Sequence, residues 1–171
     1  MYLELKEMGP EGVSFDHTLE LPALDGAGGE RVDVIAARLA GTAHPGSRGV
    51  RFRAHLEATL EMPCSRCLEA VRQVIATDFE LVLVPVETEE AELAVDDDED
   101  DSLQPVVGGR AELEAFATEQ LYLNLPLKPI CSIDCKGLCP RCGANRNAGA
   151  CGCVVEDVDP RLAPLLQFKR R

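Results

Sequence analysis

Residues 50–62, VRFRAHLEATLEM, alternate without a break. Val50, Phe52, Ala54, Leu56, Ala58, Leu60 and Met62 fall on one side, with Arg51, Arg53, His55, Glu57, Thr59 and Glu61 on the other. A period of two over this length predicts a long strand with one buried and one solvated face. Residues 71–84 alternate more loosely, with Ile75, Phe79, Leu81 and Leu83 on one side. The PCSRCLEA between the two runs predicts the turn of an antiparallel hairpin. Val13, Phe15, Leu19 and Leu21 also alternate, with His17 on the apolar side. Residues 31–39 read as a further strand, bulged where the apolar parity shifts between Val34 and Ile35. AHPGSRG at 43–49 is a turn. Residues 1–86 are therefore expected to form an antiparallel β region.

Downstream, ETEEAELAVDDDEDD carries ten acidic residues and no basic one, and VVGG follows it. The composition predicts a solvated, disordered insertion over 87–109. In AELEAFATEQLYL, Leu113, Phe116, Ala117 and Leu121 recur at helical spacing. Pro126 and Pro129 stop that helix. The closing DPRLAPLLQFKRR predicts a second helix, with Asp159 as N-cap and Pro160 at the first helical position. The expected fold is a single α+β domain: an antiparallel sheet, one main helix, and a Cys-rich C-terminal module within 110–171.

The chain has 171 residues, 4 % aromatics and no Trp, so its core must come from Val, Leu, Ile and Ala. Its formal net charge of −13 departs from the basic face usual in nucleic-acid binders. MYLELKEMG has neither the basic start nor the apolar stretch of a secretory signal. The longest apolar run, near LVLVPV, is too short to span a bilayer. A cytoplasmic, membrane-free protein is expected, and there clustered cysteines more often bind metal or do catalysis than form disulfides.

Eight cysteines then carry the chemistry. They form the pairs Cys64-x-x-Cys67, Cys131-x-x-x-Cys135, Cys139-x-x-Cys142 and Cys151-x-Cys153. A two-residue gap lets both thiolates of a tight turn face one tetrahedral ion, and eight ligands make two closed Cys₄ sites without remainder. In CPRCG, Pro140 fixes a turn torsion and Gly143 can take positive φ, letting backbone N–H groups approach sulfur. The pattern points to Zn²⁺, two ions per chain. Three alternatives stay open: redox chemistry, although no thioredoxin-like βαβ setting surrounds a pair; iron–sulfur ligation by four of the thiols; and an ordinary strand-turn role for Cys64 and Cys67, with metal on the other six alone. His17, His44 and His55 lie away from every pair. No catalytic constellation emerges: GAGG at 26–29 is a turn rather than a phosphate loop, and the acidic run is a spacer. The chain is not expected to be an enzyme.

PCSRCLE, the helix leading into LNLPLKPICSIDCKGLCPRCGANRN, the CGC pair and DPRLAPL together resemble the YceD family over residues 50–168. These are bacterial and plastid proteins associated with accumulation of large-subunit ribosomal RNA. The resemblance implies a non-enzymatic role in making or stabilising the large ribosomal subunit. Members that keep the first pair but lack the last four thiols imply one site from Cys64, Cys67, Cys131 and Cys135. The second then takes Cys139, Cys142, Cys151 and Cys153. The implied partner is large-subunit ribosomal RNA or its precursor, or a ribosomal protein. From Lys128 to Arg171 eight basic residues outnumber four acidic ones. Direct RNA contact would therefore fall on Arg141, Arg146, Lys169, Arg170 and Arg171, with Arg51 and Arg53 a second choice. A zinc-dependent protein-interaction adaptor or thiol-based redox regulator without RNA contact is the alternative function.

Overall fold

The computed structural model describes residues 1–87 and 103–154. Its chain order is β1 (Tyr2–Glu4), β2 (Val13–Leu19), β3 (Leu24–Asp25), β4 (Arg31–Pro45), β5 (Val50–Pro63), β6 (Ala70–Val86), β7 (Leu103–Val107), β8 (Arg110–Glu112) and α1 (Leu113–Asn124). A six-stranded sheet runs β2-β4-β5-β6-β7, with β3 also paired to β4; β1 and β8 form a separate two-stranded piece. The sheet is antiparallel except at β6 and β7, which pair in parallel from Val82↔Leu103 to Val86↔Val107.

The alternation of residues 50–62 is realised along β5. Every apolar position from Val50 to Met62 is buried, while Arg51, Arg53, His55 and Glu57 are exposed. β6 follows the same rule through Ile75 and Leu83. The bulge falls at Ile35: Val34 pairs with Leu60 and Ala36 with Thr59, which leaves Ile35 unpaired and exposed. His17 lies half-buried at the core edge, its ring stacked 6.4 Å from that of Phe15.

Phe52 is the hub of the core. Its ring centroid lies 5.1 Å from Phe15, 5.9 Å from Phe79 and 5.6 Å from Phe116. Gly41 is opposite both Phe15 and Ala54. A Cβ there would sit 2.8 Å from the Phe15 ring and 2.1 Å from the Arg53 carbonyl oxygen, so only glycine lets the strands and the ring approach this closely. α1 lays Leu113, Phe116, Ala117 and Leu121 against the sheet. Glu114 in its first turn pairs with the N-terminal amine, on the end of the helix that favours negative charge.

Three sequence expectations change. The turn expected over 43–49 narrows to residues 46–49, because β4 runs on to Pro45, with Ala43 paired to Phe52 and Pro45 to Val50. The insertion expected over 87–109 does not extend to its end: Leu103–Val107 is a strand, because Pro105 and Val106 are apolar enough to bury against the sheet. Gly108 and Gly109 then turn the chain into β8, whose Glu112 and Ala111 pair with Tyr2 and Leu3. That pairing also takes the residues before Leu113 out of the expected helix. Residues 88–102 and the expected helix from Asp159 lie outside the described residues. No helix among the described residues is long and apolar enough to cross a membrane.

Candidate metal centres

β5 ends at Pro63 and β6 begins at Ala70, so Cys64–Glu69 is the hairpin turn. Cys64 N–H donates to the Glu69 carbonyl at 2.8 Å, and Leu68 N–H donates to the Cys64 carbonyl at 2.9 Å. This loop places two buried thiols, Cys64 and Cys67, at the end of the sheet. The chain beyond α1 is strapped across it. Ser65 donates from both N–H and Oγ to the Pro129 carbonyl (2.8 and 2.9 Å). Arg66 Nη1 donates to the carbonyls of Cys135 at 2.9 Å and Ile133 at 3.4 Å.

The strap delivers Cys131 and Cys135. Cys64 Sγ lies 3.9 Å from Cys135 Sγ, and Cys67 Sγ lies 3.6 Å from Cys131 Sγ. Disulfide sulfurs would be about 2.05 Å apart, and all eight cysteines are free. Four sulfurs held about 2.3 Å from one tetrahedral ion lie about 3.8 Å from each other, which the observed separations bracket. N–H groups of Arg66 and Cys131 approach Cys64 Sγ at 3.5 and 3.4 Å, and the Asn147 amide donates to Cys135 Sγ at 3.3 Å.

These donors set the charge. Burial pushes the Cys64 thiol up, but the backbone N–H groups of Arg66, Cys67 and Cys131 outweigh it and bring it down to about 6. The Asn147 amide lowers Cys135. Cys131, beside Cys135 and Cys67, is pushed up to about 12. Four sulfurs this close cannot all ionise unaided, and a divalent cation between them removes that conflict.

The second group repeats the design. Cys139, Cys142, Cys151 and Cys153 bring their sulfurs within 4.8 Å of one another. Gly143 N–H donates to the Cys139 carbonyl at 2.8 Å, matching the Leu68–Cys64 bond. N–H groups of Cys142 and Arg141 bring the Cys139 thiol down to about 6, while Cys153 is pushed up to about 12 by Cys142 and Cys151. Both groups are therefore four-thiol sites that could hold metal, and they partition the cysteines as the resemblance implied. Among the described residues no other such group occurs.

The two turns differ in one residue. Leu68 has φ 63° where Gly143 has φ 74°. Left-handed backbone costs a non-glycine residue about 1–2 kcal/mol, and Leu68, 64 % exposed, recovers little by burial. Leu68→Gly should leave metal content unchanged and raise stability to denaturant by about 1 kcal/mol or less, since glycine's unfolded-state entropy takes some back. The converse Gly143→Ala, whose methyl would meet no neighbour, should cost about 1–2 kcal/mol. Stabilisation by Gly143→Ala would refute the conformational account. Reading CSRCL beside CPRCG is the signal that could have marked Leu68 in the sequence.

The cationic candidates divide. Arg141 is exposed on the second turn, and Arg146 lines an open cleft with Lys136 beside Cys139 and Cys151. Sequence reasoning passed over Lys136 because its partner in the cleft is ten residues away. Arg51 and Arg53 both face Glu80, at 3.4 and 2.9 Å, so that carboxylate counters the second-choice patch. Lys169, Arg170 and Arg171 lie outside the described residues. Asn147 and Arg66 were also missed: an amide on sulfur and a guanidinium on carbonyls leave no spacing pattern, although the N-x-N of GANRN was a visible polar cue.

The family model described as large ribosomal RNA subunit accumulation protein YceD matches residues 52–169, a span that contains all eight cysteines. The chain belongs to the YceD family. An uncharacterized protein of Mycobacterium tuberculosis is 36 % identical to this YceD chain over 126 residues, covering 71 % of it and 56 % of the relative. A maize protein named large ribosomal RNA subunit accumulation protein YCED homolog 1, chloroplastic, is 30 % identical, covering 68 % of this chain and 47 % of the relative. Its Arabidopsis thaliana counterpart is 27 % identical, with 68 % and 43 % covered. The YceD chain thus spans about half the length of the curated relatives it matches. No solved structure matches it.

Proposed function

We propose that this YceD protein is a non-enzymatic, cytoplasmic factor in ribosome biogenesis that supports accumulation of large-subunit ribosomal RNA, with two zinc ions holding its RNA- or protein-facing module in shape. The carrying observation is the family match, which runs from β5 through both cysteine groups. Zinc is the ion favoured by closed, four-thiolate tetrahedral sites. The eight cysteines would be its ligands, and a site with four protein ligands leaves no place for substrate. Zinc supplies folding energy there, and the chain's own residues present the surface.

Direct RNA contact is proposed at Arg141 and Arg146, joined by Lys136 and, in the chain beyond, Lys169–Arg171. Sequencing the RNA that co-purifies with the native protein tests this. Large-subunit precursor should be enriched, and Arg141→Ala with Arg146→Ala should reduce it while both ions stay bound. Affinity for a large-subunit fragment should also lose salt dependence, by about 0.7–0.9 log unit for each phosphate contact removed. One observation favours a second reading, an adaptor that meets a ribosomal protein: the chain is strongly acidic and Glu80 already occupies Arg51 and Arg53. Recovery of proteins alone, surviving nuclease, would select it. Reversible zinc release on mild oxidation would select a redox regulator instead.

A further inference from the structure

The two cysteine groups are joined by more than chain. Cys135, a first-group thiol, is followed by Lys136-Gly137-Leu138 and then by Cys139 of the second group. The return segment after Cys142 folds back along this connector. Cys139 N–H donates to the Ala144 carbonyl, Leu138 bridges Asn145, and Arg146 N–H donates to the Gly137 carbonyl at 2.9 Å. Asn147 ends the segment. Its Oδ1 accepts from Lys136 N–H at 2.7 Å, and its Nδ2 donates to Cys135 Sγ at 3.3 Å. Asn145 reaches the other half of the first group: its Nδ2 donates to Glu69 Oε1 at 3.1 Å, and its Oδ1 accepts from Asn147 N–H at 2.9 Å. Glu69 closes the turn that carries Cys64 and Cys67.

Asn147 lies between Cys142 and Cys151, so the second group closes the loop that presents it. Yet the sulfur it touches belongs to the first. We infer that the two metal sites are energetically coupled, and that Asn147 is the positioning residue through which filling the second site orients Cys135 for the first. Coupling between sites is reciprocal, so each ion strengthens the binding of the other. Ordinary couplings of this kind amount to about 5–150-fold in affinity, and outer hydrogen bonds to metal ligands commonly govern 10–100-fold.

This inference rests on both groups holding metal. The test uses the full chain loaded with cobalt(II), whose thiolate charge-transfer and d–d absorption report each tetrahedral site, challenged with a graded chelator. Unaltered protein should hold two ions. Cys142→Ser, which disables the second site, should leave one ion bound about 5–150-fold more weakly than the first-site ion of the intact chain. Asn147→Ala should keep two ions but weaken the first site about 10–100-fold. Asn147→Asp keeps the acceptor for Lys136 N–H and lacks the donor to sulfur, so it should weaken the first site likewise while circular dichroism stays unchanged. Combining Cys142→Ser with Asn147→Ala should cost little beyond Cys142→Ser alone, since the link is already gone. Multiplicative losses in the double variant would overturn the role of Asn147, and an unaltered first site in Cys142→Ser would overturn the coupling. A chain that takes up no cobalt would overturn the metal reading with it, whereas two independent ions would overturn this inference alone.

Discussion

Stripping the metal from the loaded protein should unfold residues 130–154 and leave the sheet standing. The core splits into two bodies. One is built from apolar side chains of the sheet and α1. The other consists of Cys64, Cys67 and Cys135, with Val71 and Leu138 packed against them. That second body buries too little hydrocarbon to offset its ordering entropy, which runs to about 1–2 kcal/mol per residue for the backbone alone. Structural zinc contributes about 10–16 kcal/mol at a thiolate-rich site, more than the whole stability of many domains, about 5–15 kcal/mol. Hydrogen exchange after a strong chelator should show protection lost from Ile130 to Val154 and at the Cys64–Glu69 turn, but retained at Leu56, Leu83 and Leu121. Cys64→Ser should release one ion and free the strap from the hairpin. Protection persisting in the metal-free module would show that packing, not ligation, holds it.

Phe52→Ala should produce the largest loss from a single side chain in the sheet. Phe52 is fully buried and, among the described residues, is the one ring that meets Phe15, Phe79 and Phe116 together. Truncating a buried Phe to Ala costs about 3–5 kcal/mol through lost transfer energy and the cavity left behind. For a chain of this size that corresponds to roughly 6–20 °C in melting temperature. Metal content should stay at two ions, because twelve residues of extended β5 place Cys64 roughly 40 Å from Phe52. A loss below about 1 kcal/mol would mean that the neighbouring rings close over the gap.

What was legible in the sequence follows from how local each signal is. β5 and β6 are readable because burial on one face imposes a period of two on the residues themselves, and the Ile35 bulge is readable as a slip in that period. Leu113, Phe116, Ala117 and Leu121 mark the helix face for the same reason at a different period. β7 was hidden: its five residues follow an acidic run, include Pro105, and are strand only because β6 lies beside them. Nothing in LQPVV announces a parallel neighbour seventeen or more residues upstream. The helix start was misplaced by two residues because Arg110–Glu112 answers to Tyr2–Glu4, at the far end of the chain. The cysteine spacings signalled thiol pairs suited to metal. The partition needed either family likeness or geometry, since any two pairs can in principle share an ion.

The first cysteine group draws its members from either side of a long stretch of chain, and that has a temporal consequence. Ribosomes extend a chain at about 5–20 residues per second, so Cys135 emerges roughly 4–14 s after Cys64. During that interval β5 and β6 can close their hairpin within microseconds, and the hairpin carries at its tip two thiols whose ligand partners have not yet been made. On the metal reading proposed above, the nascent protein passes through a stage as an incomplete chelator, open to oxidants and to foreign soft metals. It leaves that stage only when the strap behind α1 arrives.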